Sequence, residues 1–234
     1  MIRSLAFNVV GFTWTAFMMV VSLPVLAMPR PWILAPGRVW VRGLMWLLRI
    51  LVGLDYTVRG RDNLPKGPFI VAAKHQSAWD TLVFPLIFAD PAYVLKRELT
   101  WVPPFGWYLL RQGAVPIDRR GGAAAMRRML RGAKRIAEQD RPIIIYPEGT
   151  RTPPGESRAY HPGVALLYRE LDLPVVPIAL NSGRFWARHA FRKHPGTITV
   201  DVLPPIQPGL DRRAFMARLH ETLEPAAHAL LDDG

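Results

Sequence analysis

Two short segments of this sequence carry the side chains best suited to chemistry. In Lys74-His75-Gln76-Ser77-Ala78-Trp79-Asp80, four residues separate an imidazole from a carboxylate. An imidazole takes a proton from a hydroxyl near neutral pH, and a carboxylate within reach fixes its tautomer and balances the charge that results. In Pro147-Glu148-Gly149-Thr150-Arg151, Gly149 lets the backbone approach a ligand, Thr150 adds a hydroxyl donor, and Arg151 offers a planar fork for phosphate oxygens. A base beside a phosphate site is the equipment of an enzyme that deprotonates a hydroxyl on a phosphorylated substrate. A carboxylate would repel that phosphate, so Glu148 is expected to hold an arginine or to meet a substrate hydroxyl.

Position in the chain separates the first pair from a coincidence. The same spacing recurs at His228 and Asp233, inside a predicted terminal helix. There an i, i+5 pair points about 140° apart. His75, by contrast, follows the apolar run Phe69–Ala73, and Asp80 opens a predicted helix. A chain reversal between them returns the carboxylate toward the ring and sets it at the positive end of the helix. Gly149 and Arg151 likewise follow an apolar run, Ile143–Tyr146. Loops that leave the same edge of a parallel sheet face one pocket. The other reading of Asp80 is a helix cap, with His75 an ordinary loop residue.

The elements that must position these loops alternate along the chain. Strands are expected at Tyr56–Arg59, Phe69–Ala73, Tyr93–Leu95, Ala114–Ile117, Ile143–Tyr146, Val175–Leu180 and Thr197–Leu203. Helices are expected at Asp80–Phe88, Gly122–Gln139, Val164–Leu171 and Arg212–Leu230. That order predicts a single α/β domain over residues 56–234, with a largely parallel central sheet flanked by helices. The helix from Gly122 carries Arg127, Arg128, Arg131 and Arg135 on one face, either merely solvated or facing a membrane.

Residues 1–55 read as a membrane-anchoring helical segment. Ser4 to Pro29 carry no charge, and as a helix Leu5–Leu23 would just cross a hydrocarbon core of about 30 Å. A transmembrane anchor, a helix within one leaflet, and a signal peptide cleaved after Val25-Leu26-Ala27 all fit that run. The next segment, Arg38–Leu54, combines Trp40 and Trp46 with Arg38, Arg42 and Arg49, which fall within roughly 40° of one another at helical spacing. Tryptophan beside a basic stripe describes an interfacial helix; the other reading is a second helix packed against the globular domain. Pro24, Pro29, Pro31 and Pro36 impose a reversal between the two, so the expectation is a helical hairpin anchored from one side.

Composition narrows the partners. The 234 residues are 50% hydrophobic, carry a formal charge of +12 and include no cysteine, which excludes disulfides and thiolate chemistry. Such a charge points to phosphate-bearing partners. No zinc-ligand set, RNA-recognition signature or basic heptad region is present, so nucleic acid and a metal are not expected.

Four blocks in a consistent order resemble the bacterial 1-acyl-glycerol-3-phosphate acyltransferases of the glycerolipid acyltransferase superfamily. They are Lys74–Asp80, Gly113–Arg119, Pro147–Arg151 and Val175–Leu180, with Lys96-Arg97-Glu98-Leu99 and Pro104-Phe105-Gly106-Trp107 similar to the family's intervening segment. The resemblance spans about residues 56 to 208. Lys74 stands where many members have Asn, and Pro116 where Phe is common. Tyr160-His161 replaces an aromatic-Lys pair, so no substrate contact carries over to His161.

The resemblance implies His75 as base with Asp80 as its partner, and Arg151, Gly149 and Thr150 as phosphate ligands. By family position it adds Lys96 and Arg119. It implies acyl transfer from acyl-CoA or acyl carrier protein to lysophosphatidic acid, giving phosphatidic acid, with no cofactor. The expected place is the inner membrane, with the catalytic domain on the cytoplasmic side. Another lysolipid acceptor, such as a lyso-ornithine lipid, is the nearest alternative. A lipid hydrolase using Ser77 or water and a non-catalytic lipid-binding protein are the remaining ones; Ser77 otherwise reads as a turn residue.

Overall fold

The computed structural model describes residues 1–118 and 120–232. Among them, strands β1 (Leu54–Arg59), β2 (Ile70–Ala73), β3 (Ala92–Lys96), β4 (Val115–Ile117), β5 (Ile143–Ile145), β6 (Val175–Leu180) and β7 (Gly196–Val202) form one sheet in the order β1-β7-β6-β2-β5-β3-β4. Every pairing is parallel except that of β6 with β7. Five strands, β2 to β6, therefore share one direction, and the loops after them leave a common edge. All seven expected strands are present, with ends moved by a residue or two.

The helices are α1 (Ile2–Val21), α2 (Leu34–Leu47), α3 (Trp79–Ile87), α4 (Phe105–Gln112), α5 (Gly122–Ala137), α6 (Gly163–Leu171), α7 (Ser182–Phe185) and α8 (Arg212–Asp232). The helix α4, only eight residues long and exposing Trp107 and Leu110, was not among the expected helices.

Alternation along the strands builds two cores. Val71 and Ala73 of β2, Ile144 of β5 and Val176 and Ile178 of β6 face α2 and α3. Ile70 and Ala72, Ile143 and Ile145, and Val175 and Ala179 face α5, α6 and α8. Burial on both faces explains why these strands read as continuous apolar runs rather than alternating ones.

The N-terminal segment supplies part of one layer. Phe7 of α1 and Val41, Leu44, Met45, Leu47, Leu48 and Val52 of α2 and its continuation lie in the same core as Trp79 and Phe84. The two helices approach closely at Gly43, where a Cβ would fall 2.4 Å from the Trp14 indole nitrogen. Trp14 Nε1 donates to the Trp40 carbonyl at 3.0 Å, and Trp40 Nε1 donates to Thr15 Oγ1 at 3.0 Å. Their other side is open and apolar: Ile2, Phe12, Phe17, Val20, Val39 and Trp46 are exposed. Arg30, in the turn between the helices, pairs with Asp90, and Asp90 also meets the buried Arg141 at 3.0 Å. Desolvation lowers the Arg141 pKa below its ordinary value, and the Asp90 carboxylate opposes that shift.

Candidate active site

The carboxyl edge of the parallel strands gathers several of the side chains singled out in the sequence and adds others. His75 follows β2, Lys96 ends β3, Asp118 follows β4, and Tyr146, Gly149 and Arg151 follow β5. All six line one cavity of about 610 Å³, together with His161. Beyond this polar end the wall is mostly apolar and includes Met18 and Met19 of α1, Trp40 of α2, Leu82 of α3, Phe105 of α4 and Met129 of α5.

The expected chain reversal places Asp80 beside His75. Asp80 is fully buried in the first turn of α3, and its Oδ2 lies 3.1 Å from His75 Nδ1. The same oxygen accepts the amide hydrogens of Gln76 at 2.6 Å and Ser77 at 2.8 Å. Ser182 Oγ donates to the other oxygen, Oδ1. Four donors thus replace the water that a buried carboxylate loses. Since a carboxylate only accepts, the shared proton belongs on Nδ1, and Nε2 keeps its lone pair for the cavity.

The ring is fixed from two further sides. Tyr146 stacks on it, with centroids 4.1 Å apart and planes 23° apart, and donates its hydroxyl to the Asp80 carbonyl at 3.0 Å. Burial raises the Tyr146 pKa well above the usual phenol value, with smaller upward contributions from Tyr93 and Asp80 and a downward one from Arg151, so the hydroxyl remains a donor. The His75 amide donates to Glu148 Oε2 at 3.1 Å, and the Thr152 amide donates to the His75 carbonyl at 2.7 Å. The two candidate loops are stitched together at His75 itself.

Glu148 holds neither an arginine nor a free position in the cavity. It is buried, and its Oε1 accepts Lys74 Nζ at 2.5 Å. Lys74 Nζ also reaches both oxygens of Glu224 on α8, at 2.9 and 3.1 Å, and Tyr160 donates its hydroxyl to Glu224 at 2.5 Å. Desolvation, then Glu224, pushes the Tyr160 pKa upward, so this hydroxyl too remains a donor. The cation that Glu148 meets is thus Lys74 rather than an arginine.

Arg151 carries a guanidinium whose Nε is buried and has no hydrogen-bond partner among the described residues. A buried cationic donor left unspent at a cavity wall is chemically complementary to an anion. Gly149 has φ +64°, and a Cβ there would fall 2.5 Å from the His161 ring. The room that this glycine leaves is taken by His161, a residue to which the family pattern gave no contact. Thr150 is half-buried and does not line the cavity. Lys96 reaches the wall but is half-exposed and paired with Glu98 at 3.4 Å. Arg119 lies outside the described residues.

Ser77 is buried, accepts the Trp79 amide hydrogen at 3.2 Å and does not line the cavity, so the serine-hydrolase alternative loses its nucleophile. His228 is exposed on α8, away from the cavity lining, and Asp233 lies outside the described residues. Sequence reasoning missed Tyr146 and Ser182. An aromatic directly before the Pro147–Arg151 loop was the available signal for Tyr146; none marked Ser182.

The family model for acyltransferases matches residues 55–181, more than half of the chain. The chain belongs to the acyltransferase family. This acyltransferase is 35% identical over 185 residues to the 1-acyl-sn-glycerol-3-phosphate acyltransferase of Pseudomonas aeruginosa, covering 79% of this chain and 72% of that one. It is 29% identical to the human 1-acyl-sn-glycerol-3-phosphate acyltransferase alpha, over 82% of this chain and 69% of that one. A crystal structure of a 1-acyl-sn-glycerophosphate acyltransferase from Thermotoga maritima superposes with a TM-score of 0.79 at 22% identity, covering 98% of this chain and 95% of the other. The matched fold of this acyltransferase therefore includes the N-terminal helices as well as the sheet.

Proposed function

We propose that this acyltransferase moves a fatty acyl group from a thioester to the free hydroxyl of 1-acyl-glycerol-3-phosphate, giving phosphatidic acid. One observation carries the reading: the oriented imidazole of His75 and the unspent guanidinium of Arg151 line the same cavity, whose remaining wall is mostly apolar. A glycerol phosphate has its anion and its hydroxyl a few bonds apart, which matches a cation and a base at one end. Its acyl chains match the rest. The named activity of the Pseudomonas and human relatives supports the same substrate class.

In this reading the acceptor phosphate meets Arg151, and its hydroxyl meets His75 Nε2. As the hydroxyl oxygen attacks the thioester carbonyl, its proton passes to Nε2, and Asp80 balances the imidazolium that forms. Collapse of the tetrahedral intermediate breaks the carbon–sulfur bond, and the imidazolium returns the proton to the departing thiolate. General base catalysis of this kind contributes about 10²–10⁴-fold. Gly149 and Thr150 act by shaping the loop, Lys96 supplies positive charge at the cavity wall, and Arg119 is proposed as a further phosphate ligand. Coenzyme A and acyl carrier protein are the two donor carriers proposed.

The division of labour proposed is that residues 1–55 anchor the enzyme and residues 56–234 catalyse. The helix α1 is apolar and long enough to cross a bilayer by length and composition. Its contacts favour a helix lying in one leaflet. Near its start, Ser4 accepts the Lys193 amide hydrogen at 3.0 Å and Asn8 accepts Lys193 Nζ at 2.5 Å. Near its end, the Met19 carbonyl accepts the Tyr108 hydroxyl at 2.7 Å. A helix held to the catalytic body near both ends, at points roughly 20 Å apart, lies along that body. Attachment to the inner membrane from the cytoplasmic side follows from the same reading, since soluble acyl thioesters are made there.

The test offers the protein, reconstituted in lipid, a panel of lysolipids with coenzyme A and carrier-protein thioesters, and reads the products by mass spectrometry. Phosphatidic acid formed from 1-acyl-glycerol-3-phosphate is the expected product. Equal use of phosphate-free acceptors, or fatty acid released without any acceptor, contradicts the proposal.

A further inference from the structure

Five large apolar side chains crowd the short stretch from the end of β3 to the end of α4. Leu99, Trp101, Val102, Trp107 and Leu110 each expose between 44 and 62% of their surface. Scattered exposed apolar residues need no explanation, but a contiguous patch marks a partner. Here the partner is indicated by what lies beside the patch. The stretch packs against the turn of the N-terminal hairpin: Tyr108 donates to the Met19 carbonyl, Arg111 donates to the Met28 carbonyl at 2.5 Å, and Phe105 meets Trp40 with ring centroids 6.4 Å apart. The neighbouring hairpin residues Phe17, Val20, Val21, Leu23, Met28 and Trp32 are themselves exposed. One apolar surface therefore runs from α1 across the hairpin turn onto α4.

Its rim is basic. Arg97 lies over the Trp101 ring at 5.3 Å, and Arg111 and Arg120 are exposed beside the stretch. The nearby acids Glu98 and Asp118 are each paired, with Lys96 and Arg97. Tryptophan at an apolar edge with arginine around it matches the boundary between acyl chains and anionic headgroups.

We propose that residues 99–110 form a second bilayer-inserting element, coplanar with the exposed face of the hairpin and seated among anionic phospholipids. This rests on the reading of the hairpin as an in-leaflet anchor and deepens it. The cavity supports the same placement. Leu99, Phe105 and Leu109 on one side, and Met18, Val25 and Trp40 on the other, line it jointly. The slot for acyl chains thus lies between two lipid-embedded elements, so a lipid enters sideways without crossing water.

Because the chain lacks cysteine, single environment-sensitive probes can be placed by Val102→Cys, Leu110→Cys, Phe12→Cys on α1 and Glu221→Cys on α8. The full chain is reconstituted into vesicles of phosphatidylcholine and phosphatidylglycerol with brominated acyl chains. Quenching at Phe12, Val102 and Leu110, with none at Glu221, is the expected result. Quenching at Phe12 alone overturns the second element and leaves the hairpin reading standing. No quenching at Phe12 overturns the hairpin reading and, with it, the continuous face. Shielding of Val102 and Leu110 that rises with protein concentration in the absence of lipid assigns the patch to a second copy of the chain and overturns the proposal. The paired change Val102→Asp with Leu110→Asp, at positions outside the cavity lining, should slow acylation of vesicle-embedded acceptor by about tenfold or more while sparing detergent-dispersed acceptor. Equal loss on both acceptors counts against it.

Discussion

Asp80 Oδ2 receives three hydrogens at once: from His75 Nδ1 at 3.1 Å and from the amides of Gln76 and Ser77 at 2.6 and 2.8 Å. The carboxylate that meets the His75 ring is also the one that closes the turn carrying it. Asp80→Asn keeps an acceptor oxygen for the two amides but presents no charge to an imidazolium. The fold should persist, and turnover should fall by about 10²–10⁴-fold. Thermal unfolding measured beside single-turnover acyl transfer separates the two effects. Loss of the fold in proportion to activity would make Asp80 a structural residue only.

Arg151 is expected to act on binding of the anion. Arg151→Ala should raise KM for 1-acyl-glycerol-3-phosphate and erase its advantage over a phosphate-free acceptor, a loss of about 1.5–3 kcal/mol for a charge-assisted bond. Arg151→Lys should recover little, because an ammonium lacks the planar fork. Unchanged discrimination between the two acceptors would remove Arg151 from phosphate recognition.

Lys74 neutralises two carboxylates at once, Glu148 and Glu224. Lys74→Met would leave both facing each other in the interior, at a cost of about 3–5 kcal/mol. For a chain of this size that lowers Tm by roughly 2–4 °C per kcal/mol. The double change Lys74→Met with Glu224→Gln should recover part of the loss. Wild-type stability in the single variant would show that the network contributes nothing.

The buried phenols predict behaviour at high pH. Desolvation raises the pKa of Tyr93 far above its usual 10.0. A raised folded-state value contributes stability below the unfolded value, lost as pH climbs from about 10 toward the folded value. Tyr93→Phe removes that sensitivity at the cost of a hydrogen bond to the Thr81 carbonyl. Denaturant midpoints should therefore fall less steeply with pH in the variant, above about pH 10, than in the parent. Parallel slopes would contradict the assignment.

Much of this arrangement was legible because it is local. His75 and Asp80 are five positions apart, so strand end and helix start alone bring them together. The strands could be found because sheets buried on both faces leave unbroken apolar runs. Partners distant in sequence were not legible. Glu224 lies 150 positions from Lys74, and Ser182 lies 102 from Asp80, and neither pairing leaves a periodic signal. The helix α4 escaped notice because it is only eight residues long, too short for a periodic pattern to stand out. The role of Glu148 was unreadable until its lysine was found beneath it.

The central claim is that His75 removes the acceptor's proton as the ester bond forms. The direct test is single-turnover acyl transfer by folded His75→Ala at saturating substrates, with acceptor binding measured separately. His228→Ala serves as the control at the other histidine of the same spacing. The rate should fall by at least about 10²-fold in His75→Ala, acceptor affinity should change little, and His228→Ala should match the parent. Near-parental turnover by folded His75→Ala protein would contradict the account.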